Sequence, residues 1–477
     1  MKKQFITNIL LLFCINVLVK PFYVFFIETD VQNQVGTEDF GIYFYHLNFV
    51  FLFQFVGDFG LQTWNNQSIS KNRGDIEHQL LPVFFVKIVL STLWLIFILS
   101  GAYFLGSLQW DILFPICINL VMSSLFLLIR SFISGLGLYI KDSLLSALDK
   151  LLMIVILFGL LSQVNSGRIF TIQDFIYGQM TALFLSNVIA FFILWLNLPP
   201  FKFRWNVAKS KKILQNCIPY AIVLFLMITY NKMDGFLLGF LQNDQGLQAG
   251  IYAGAYRIYD AANMFLYIIP ALVLPMFSNV VHNRLELDSL VLVVFRWMIG
   301  ITMPILVIST IFTEDIIQFL YIEHIPEKVD SLRILMFAFC MVSFGYILGA
   351  LSMAVDKVHK LTPVFISGLV ICVISNIILI PRMGATGSAI STLITQVWVF
   401  IGQYWIVQRE LSWKINVDLL QKAILYVMFI GILSYACSEY FQQYRIYSLV
   451  LCSIISLPLA FFLKLIEWSD LRLVLRK

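Results

Sequence analysis

The chain consists of long apolar runs separated by short polar stretches. A helix that crosses a bilayer needs roughly 20 mostly apolar residues, and about 14 runs have that length. The pattern therefore predicts an all-α polytopic membrane protein. The predicted helices cover residues 5–27, 40–63, 82–105, 112–133, 144–162, 173–197, 215–240, 250–280, 290–312, 333–354, 361–381, 385–407, 419–437 and 446–466.

Composition agrees with this prediction. Hydrophobic residues make up 60% of the chain and charged residues only 12%, a balance that a water-soluble domain does not sustain. The seven cysteines are scattered without paired spacing, so they indicate neither a disulfide framework nor a metal site. No small-x-small cleavage site follows the first apolar run, which we interpret as the first transmembrane helix rather than a signal peptide.

The distribution of Lys and Arg predicts the orientation in the membrane, because these residues collect in cytoplasmic loops. If the N-terminus is cytoplasmic, the cytoplasmic loops and ends contain eighteen Lys and Arg residues and the outer loops contain four. With an even number of helices, the C-terminus is then also predicted to be cytoplasmic. The inner set is Lys2, Lys3, Lys71, Arg73, Lys141, Lys202, Arg204, Lys209, Lys211, Lys212, Arg284, Lys357, Lys360, Arg409, Lys414, Arg472, Arg476 and Lys477, and the outer set is Arg168, Lys328, Arg382 and Arg445.

The loops are too short for a catalytic domain, and the sequence contains no GxxxxGK[ST] phosphate loop. ATP hydrolysis within this chain is therefore excluded, and the sequence predicts a transporter, not an enzyme, without a cofactor. Coupling to a proton or sodium gradient stays open. A membrane glycosyltransferase or ligase would need outer carboxylates, for which the candidates are Glu28, Asp30, Glu38 and Asp39.

A sequence repeat divides the predicted helices. Phe40-Gly41-Ile42-Tyr43 begins the second helix and Ala249-Gly250-Ile251-Tyr252 begins the eighth, on either side of a basic linker. Six helices in each half indicate a parallel repeat. The predicted domains are an N-terminal six-helix bundle (1–197), a basic cytoplasmic linker (198–214), a C-terminal six-helix bundle (215–407), and two additional helices with a basic tail (408–477).

Each half also places a lysine in its first helix, Lys20 in LVKPFYVFF and Lys232 in YNKMDGFLLGF. A charge near the bilayer centre costs roughly 2.5 to 3.5 kcal/mol, so it usually faces a bundle interior or a water-filled cavity. There a cation could bind an anionic head group such as a diphosphate. Snorkelling to the interface is the competing interpretation, and it is the preferred one for Lys87, Arg296, Lys422 and Lys464.

Other charges and prolines within the predicted helices complete the candidate set. Arg257 lies three residues before Asp260, where a local ion pair would be purely structural. A proline inside a helix removes a backbone donor and bends the helix, which suits a gate or simply shapes the packing. The further candidates are Arg130, Lys150 and Arg257 for substrate binding, Asp58, Asp234 and Asp260 for ion coupling, and Pro21, Pro270 and Pro275 for gating.

The segment from Gly349 to Gln396 resembles the helix-ten to helix-twelve region of bacterial polysaccharide flippases of the O-antigen and capsule type. Its elements are a small-residue helix, the basic pair Lys357 and Lys360, the Asn376 to Pro381 stretch, and a G-x-x-G-x-A pattern at Gly384, Gly387 and Ala389. DFGLQ from Asp58 and GIYAGAYR from Gly250 are similar to the family's second-helix and eighth-helix patterns. We expect Gly384, Gly387, Ser388 and Ala389 to serve close helix packing.

The resemblance implies a MATE-like fold of the multidrug/oligosaccharidyl-lipid/polysaccharide exporter superfamily, with two six-helix bundles and two appended helices. It implies a bacterial inner-membrane flippase that moves undecaprenyl-diphosphate-linked oligosaccharide by alternating access, for surface polysaccharide such as the O-antigen of lipopolysaccharide. The expected partners are that lipid, membrane lipids and, as candidates, polysaccharide assembly enzymes; nucleic acid is not expected. A multidrug antiporter shares the fold and would use an acid-lined cavity, for which Asp58 is a candidate.

Overall fold

The computed structural model describes residues 18–71, 76–106, 109–198, 207–242, 244–266, 268–355, 357–411 and 417–467. These residues are almost entirely helical, and none of them forms a strand, which confirms the predicted all-α fold. The beginning of the predicted first helix with Lys2 and Lys3, most of the basic linker with Lys202 and Arg204, and Arg73, Lys414 and the basic tail lie outside this part of the chain.

The helices follow one another with short connections. A π-helical turn at Tyr23–Glu28 precedes the first of them. In chain order they are α1 (Thr29–Val35), α2 (Thr37–Leu52), α3 (Gln54–Asp58), α4 (Leu61–Lys71), α5 (Ile76–Leu105), α6 (Trp110–Gly135), α7 (Tyr139–Ser162), α8 (Ile172–Leu196), α9 (Val207–Leu241), α10 (Leu247–Leu266), α11 (Ile268–Val280), α12 (Arg284–Ile311), α13 (Thr313–Leu320), α14 (Pro326–Ala354), α15 (Val358–Leu411), α16 (Val417–Tyr440) and α17 (Arg445–Phe462).

Ten helices in the described residues are long and apolar enough to cross a membrane, or eleven if the bent stretch from α2 to α4 is one span. The chain is thus a multi-pass membrane protein, but this count does not confirm the predicted 14 helices. The predicted first helix lies partly outside the described residues, and the predicted eighth corresponds to α10 and α11. The single long α15 contains both the eleventh and the twelfth predicted helices.

A glycine divides α15 into two arms. Gly384 has φ 54° and ψ −129°, a conformation that a residue with a Cβ rarely adopts. Just beyond it, a Cβ on Gly387 would lie 2.5 Å from the carbonyl oxygen of Leu379, and both Ser388 and Ala389 are fully buried. Gly387, Ser388 and Ala389 are therefore closely packed as predicted, whereas Gly384 serves the change of direction between the arms.

Contacts divide the chain into two compact units, Met1–Gly250 and Ile251–Lys477. In the first unit, α9 packs on α2, and α8 packs on α6 and α7. In the second unit, α14 packs on α11, α12 and α15, and the appended helices α16 and α17 pack on α12. The helix α9 thus lies with the first unit, whereas the sequence repeat predicts it as the start of the second bundle; the division into six and six helices stays a prediction about the repeat.

The glycines of the two GIY motifs lie where the backbones of two segments contact each other. A Cβ on Gly41 would overlap the carbonyl oxygen of Gly246, and a Cβ on Gly250 would overlap that of Thr37. The Gln32 Nε2 also donates a hydrogen bond of 3.0 Å to the Gly250 carbonyl. Backbone atoms cannot rotate away as a side chain can, so only glycine fits at these two positions.

Replacing Gly41 with alanine should therefore destabilise the first unit. Overpacking of a tight contact costs typically about 1–3 kcal/mol, and we expect the loss at Gly41 to fall at the upper end of that range. The matched control is Gly159→Ala in α7, where a Cβ would meet nothing within 4 Å. Because alanine favours helix more than glycine does, this control should be neutral or stabilising. Thermal unfolding of the purified protein in detergent measures both, and equal melting temperatures would contradict the packing interpretation.

Candidate functional site

The first helix of the first unit is distorted directly after its proline. Residues 18–22 are helical, and the turn from Tyr23 to Glu28 that follows Pro21 is π-helical. A wider turn of this kind is rare and usually marks a site where the regular hydrogen-bond ladder is interrupted. Pro21 is itself buried. The predicted distortion therefore takes the form of a π-helical turn, while a gating role for Pro21 stays a prediction.

A buried polar chain connects this turn to three helices. The Lys150 ammonium of α7 lies 4.5 Å from the centre of the Tyr23 ring. The Gln179 Nε2 of α8 donates a hydrogen bond of 3.1 Å to the Tyr23 hydroxyl, and the Tyr43 hydroxyl of α2 donates one of 3.3 Å to Gln179 Oε1. A cation against an aromatic face is stabilised by the ring quadrupole without a counter-ion. The Lys150 ammonium thus lies against an aromatic ring of the first unit, and it also donates a hydrogen bond of 3.6 Å to Met153 Sδ.

The other two candidate cations near these helices differ in their surroundings. Lys20 is half-buried and lies three residues before Tyr23, about one helical turn along the first helix from the ring that Lys150 contacts. Arg130 is engaged elsewhere: its Nε donates a hydrogen bond of 2.8 Å to Asp142 Oδ1, which forms an ion pair. The structure thus places Lys150 against the first helix together with Lys20, and gives Arg130 a structural partner.

Asp58 is buried, and its counter-ion is Lys87 of α5. The Lys87 Nζ lies 3.9 Å from Asp58 Oδ1, donates a hydrogen bond of 2.8 Å to the Gly57 carbonyl, and donates another to Ser124 Oγ. Both side chains are almost completely buried. The prediction that Lys87 snorkels to the interface is therefore wrong. Its hydrocarbon stem carries the charge inward because a carboxylate and two oxygens solvate it there.

The DFGLQ motif around Asp58 is a break in the second helix. Phe59 and Gly60 have φ values of 48° and 73°, and the stretch after residue 53 is bent by 48° from α2. A Cβ on Gly60 would overlap the Tyr220 side chain of α9, so the break also admits a close contact with that helix. The motif holds Asp58 at the end of α3, where Lys87 reaches it.

The α9 candidates lie against α2. The Lys232 ammonium is 5.2 Å from the centre of the Phe51 ring, and Lys232 is half-buried. Asp234 is buried two residues later. Gly235 permits this proximity, because a Cβ there would lie 2.6 Å from Asn48 Nδ2. Lys232 and Lys150 therefore both lie against aromatic rings of the first unit, on different helices.

The second unit contains a buried cation that the sequence interpretation missed. Lys328 of α14 is 0% exposed, and its Nζ lies 4.2 Å from the centre of the Tyr321 ring. The Tyr321 hydroxyl donates a hydrogen bond of 3.1 Å to the Gly254 carbonyl, which fixes the ring beside α10. Within the described residues, Lys328 Nζ has no hydrogen-bond partner. Glu323 and Arg257, the latter 7% exposed, are both close enough for their charges to act on Lys328.

Lys328 was predicted in an outer loop because it lies among Glu323, Glu327 and Asp330. The helix begins earlier than its apolar run, at Pro326. Proline is favoured at the first position of a helix, where its missing N–H is not needed. That signal places Lys328 in the first turn of α14, from which its side chain reaches the interior.

The remaining second-unit candidates lie on α10 and α11. Asp260 is half-buried and follows Arg257 by three residues on α10. Pro270 lies in the first turn of α11, where a missing N–H does not break the helix, and Pro275 lies inside it. The roles of Asp260 in ion coupling and of the two prolines in gating stay predictions.

Three of the outer carboxylates that an enzyme would need, Asp30, Glu38 and Asp39, lie in the first turns of α1 and α2. Burial raises the pKa of Asp30 above its ordinary value, while a hydrogen bond with Gln34 acts in the opposite direction. Glu38 and Asp39 are exposed in the first turn of α2, where negative charge stabilises the helix N-terminus. Glu38 and Asp39 are thus accounted for by solvation and by their place at a helix N-terminus.

Breaking the Asp58–Lys87 pair should be costly. Replacing Lys87 with methionine leaves a buried carboxylate without its counter-ion, and loss of one partner of a buried pair destabilises by about 3–5 kcal/mol. The double variant Lys87→Met with Asp58→Asn should recover most of that loss, because no unpaired charge remains.

The matched control is Arg284→Met, which removes an exposed ion pair with Asp288 at 3.9 Å. An exposed pair contributes at most about 1 kcal/mol. Thermal unfolding in detergent of the wild type, Lys87→Met, Asp58→Asn, the double variant and Arg284→Met gives the comparison. Additive losses for Lys87→Met and Asp58→Asn would show that the two side chains do not stabilise each other.

Comparison with solved structures shows which fold this is. Lipid II flippase MurJ, in an inward closed conformation, matches with a TM-score of 0.70 at 14% identity, over 95% of this chain and 97% of that one. An inward-facing multidrug resistance MATE transporter of the MOP superfamily matches with a TM-score of 0.66 at 14% identity. That match covers 82% of this chain and 94% of the transporter. A MOP superfamily transporter from Pyrococcus furiosus matches with a TM-score of 0.57 at 14% identity. That match covers 85% of this chain and 96% of the transporter. The chain has the MurJ and MATE fold.

Sequence comparison gives the family. An uncharacterized membrane protein of Methanocaldococcus jannaschii is 24% identical over 241 residues, and the match spans 48% of this chain and 45% of that relative. The family model described as polysaccharide biosynthesis protein matches residues 5–281, more than half of the chain. This protein belongs to the polysaccharide biosynthesis protein family.

Proposed function

We propose that this protein is a flippase that moves an undecaprenyl-diphosphate-linked oligosaccharide across the inner membrane by alternating access. The family is one of polysaccharide biosynthesis, and the fold resembles that of a lipid II flippase. The cargo would serve a surface polysaccharide such as an O-antigen, and both termini would be cytoplasmic. These finer assignments rest on the sequence resemblance and on the distribution of Lys and Arg.

One observation carries the proposal: each unit holds a lysine against a tyrosine ring, half-buried in the first unit and fully buried in the second. Lys150 lies 4.5 Å from the Tyr23 ring centre, and Lys328 lies 4.2 Å from that of Tyr321. Within the described residues, no salt bridge joins either lysine to an acid. Positive charge held inside a unit without a salt bridge suits a diphosphate, whose oxygens accept several charge-assisted hydrogen bonds.

The surrounding charges support an anionic rather than a cationic cargo. Asp58, the residue on which a multidrug antiporter interpretation rests, is paired with Lys87 at 3.9 Å. An acid already neutralised by an internal lysine is a weak binding site for a cationic drug. The acid stays a candidate for ion coupling, as do Asp234 and Asp260. The glycosyltransferase alternative has only the outer acids, which have structural roles in α1 and α2.

The proposal is tested in a host from which the gene is deleted. We expect diphosphate-linked oligosaccharide to accumulate on the carrier lipid, and the wild-type gene to clear it. Glutamine in place of Lys20, Lys150 or Lys232 should reduce clearance roughly tenfold for each lysine, the effect of one lost charge-assisted hydrogen bond. Arginine at the same positions should retain part of the activity, because it keeps the charge.

The matched control is Lys141→Gln, on the same helix as Lys150. Lys141 is exposed and bonded to Asn197 at 2.9 Å, so its loss should leave export unchanged. Mass spectrometry of the lipid-linked pool, with expression levels measured in parallel, gives the readout. Normal clearance by the triple glutamine variant at normal expression would refute a role of these lysines in binding the diphosphate.

Lys328 permits a test in which stability and function should move in opposite directions. A buried cation without a hydrogen-bond partner lowers stability, so Lys328→Met, of similar volume, should raise the free energy of unfolding by about 1 kcal/mol or more. The same variant should lose export if Lys328 contacts the cargo. A melting temperature in detergent and the lipid-linked pool in cells measure the two effects. A variant that is destabilised would instead assign Lys328 a structural role.

A further inference from the structure

A groove of about 820 Å³ lies between the two arms of α15 in the second unit. This volume is within the range of sites that hold a drug-sized ligand, and it can take a head group with part of one acyl chain. None of its lining residues belongs to the candidate site above. They are Lys360, Pro363, Val364, Ser367, Trp398, Ile401, Gly402, Trp405, Ile406, Arg409 and Glu410.

The walls of the groove are apolar and fixed. A Cβ on Gly402 would lie 2.6 Å from Val364 Cγ1, so the two arms touch there and close the floor. The Trp398 Nε1 donates a hydrogen bond of 2.9 Å to Ser367 Oγ, which holds this ring in the wall. Trp398 and Trp405 are both exposed at about half of their surface, although they are large and apolar. An apolar ligand lying along the groove would cover them.

One end of the groove is charged. Lys360 forms an ion pair with Glu410, and Lys357 Nζ lies 3.6 Å from the same carboxylate. The Arg409 guanidinium lies 5.3 Å from the centre of the Trp405 ring. Contact with a ring face leaves the N–H edge of the guanidinium available to another acceptor. The described residues at this end thus comprise three cations and one carboxylate, which leaves them a net positive charge.

The positive-inside pattern places this end at the cytoplasmic surface, where Trp and basic residues meet lipid head groups. The groove would then present apolar walls at the depth of acyl chains and cations at the level of phosphates. Each basic residue near an anionic membrane surface contributes about 1 kcal/mol of attraction. A free phosphate would leave the apolar walls bare, and a zwitterionic lipid would gain little from the net charge.

We propose that this groove binds an anionic phospholipid of the cytoplasmic leaflet, with its phosphate at Lys360 and Arg409 and an acyl chain between Trp398 and Trp405. The occupant differs from the proposed cargo in both place and role. Bound there, the lipid would fill the space between the arms of α15 and stabilise the second unit.

Native mass spectrometry of the purified full chain tests the proposal by titration with dioleoyl phosphatidylglycerol and with dioleoyl phosphatidylcholine. We expect phosphatidylglycerol to bind more tightly. Lys360→Gln and Arg409→Gln should each weaken its binding about fivefold and leave phosphatidylcholine unchanged. Trp405→Ala should weaken both lipids, because it removes part of the apolar wall. Glycerol phosphate, which has the head group without chains, should not compete.

The matched control is Lys422→Gln on α16, which removes a basic residue predicted at the same membrane surface but paired with Asp418 at 2.8 Å. It should not change either affinity. Size-exclusion elution shows whether each variant is folded. Equal affinities for the two lipids, or an equal loss in the Lys422 control, would overturn the proposal. Competition by glycerol phosphate would instead indicate a site for free phosphate and would also overturn it.

Discussion

The cost of a charge inside a membrane protein governs the organisation of this chain. A cation removed from water must find a counter-ion, hydrogen-bond acceptors or an aromatic face, or it destabilises the fold. Lys87 and Arg130 find carboxylates, at 3.9 Å and 2.8 Å. Lys150 and Lys328 instead lie against tyrosine rings. The charges of the first pair are balanced within the first unit, whereas we propose that a ligand uses those of the second pair.

Close helix packing makes these placements possible. Gly41 and Gly250 allow backbone contact between segments far apart in sequence, and Gly60 allows α9 to approach the break after Asp58. The π-helical turn after Pro21 widens the first helix where Tyr23 meets Lys150 and Gln179. The breaks at Pro21 and Gly60 thus lie next to the charged side chains of the candidate site, Lys150 and Asp58.

The sequence predicts the fold far better than it predicts which side chains contact each other inside the protein. Apolar runs and the distribution of basic residues indicate a multi-pass helical protein, and the GIY repeat marks two positions that the structure shows to be tight backbone contacts. Spacing along the chain cannot show which helices face each other, so Lys87 was predicted to snorkel although Asp58 holds it inside. Lys328 was missed because α14 begins at Pro326, seven residues before its apolar run. Likewise, spacing does not predict that Asp142 lies beside Arg130, whose role in binding stays a prediction.

We propose that the half-buried and buried lysines of the two units serve an anionic, diphosphate-bearing cargo. Reconstitution of the purified protein in vesicles tests it most directly, with a fluorescent undecaprenyl-diphosphate-linked oligosaccharide in one arm and a cationic dye in the other. We expect the labelled lipid to become accessible to a membrane-impermeant quencher at a rate that falls in Lys150→Gln vesicles, with no movement of the dye. Transport of the dye without movement of the lipid would contradict the flippase and favour a drug antiporter.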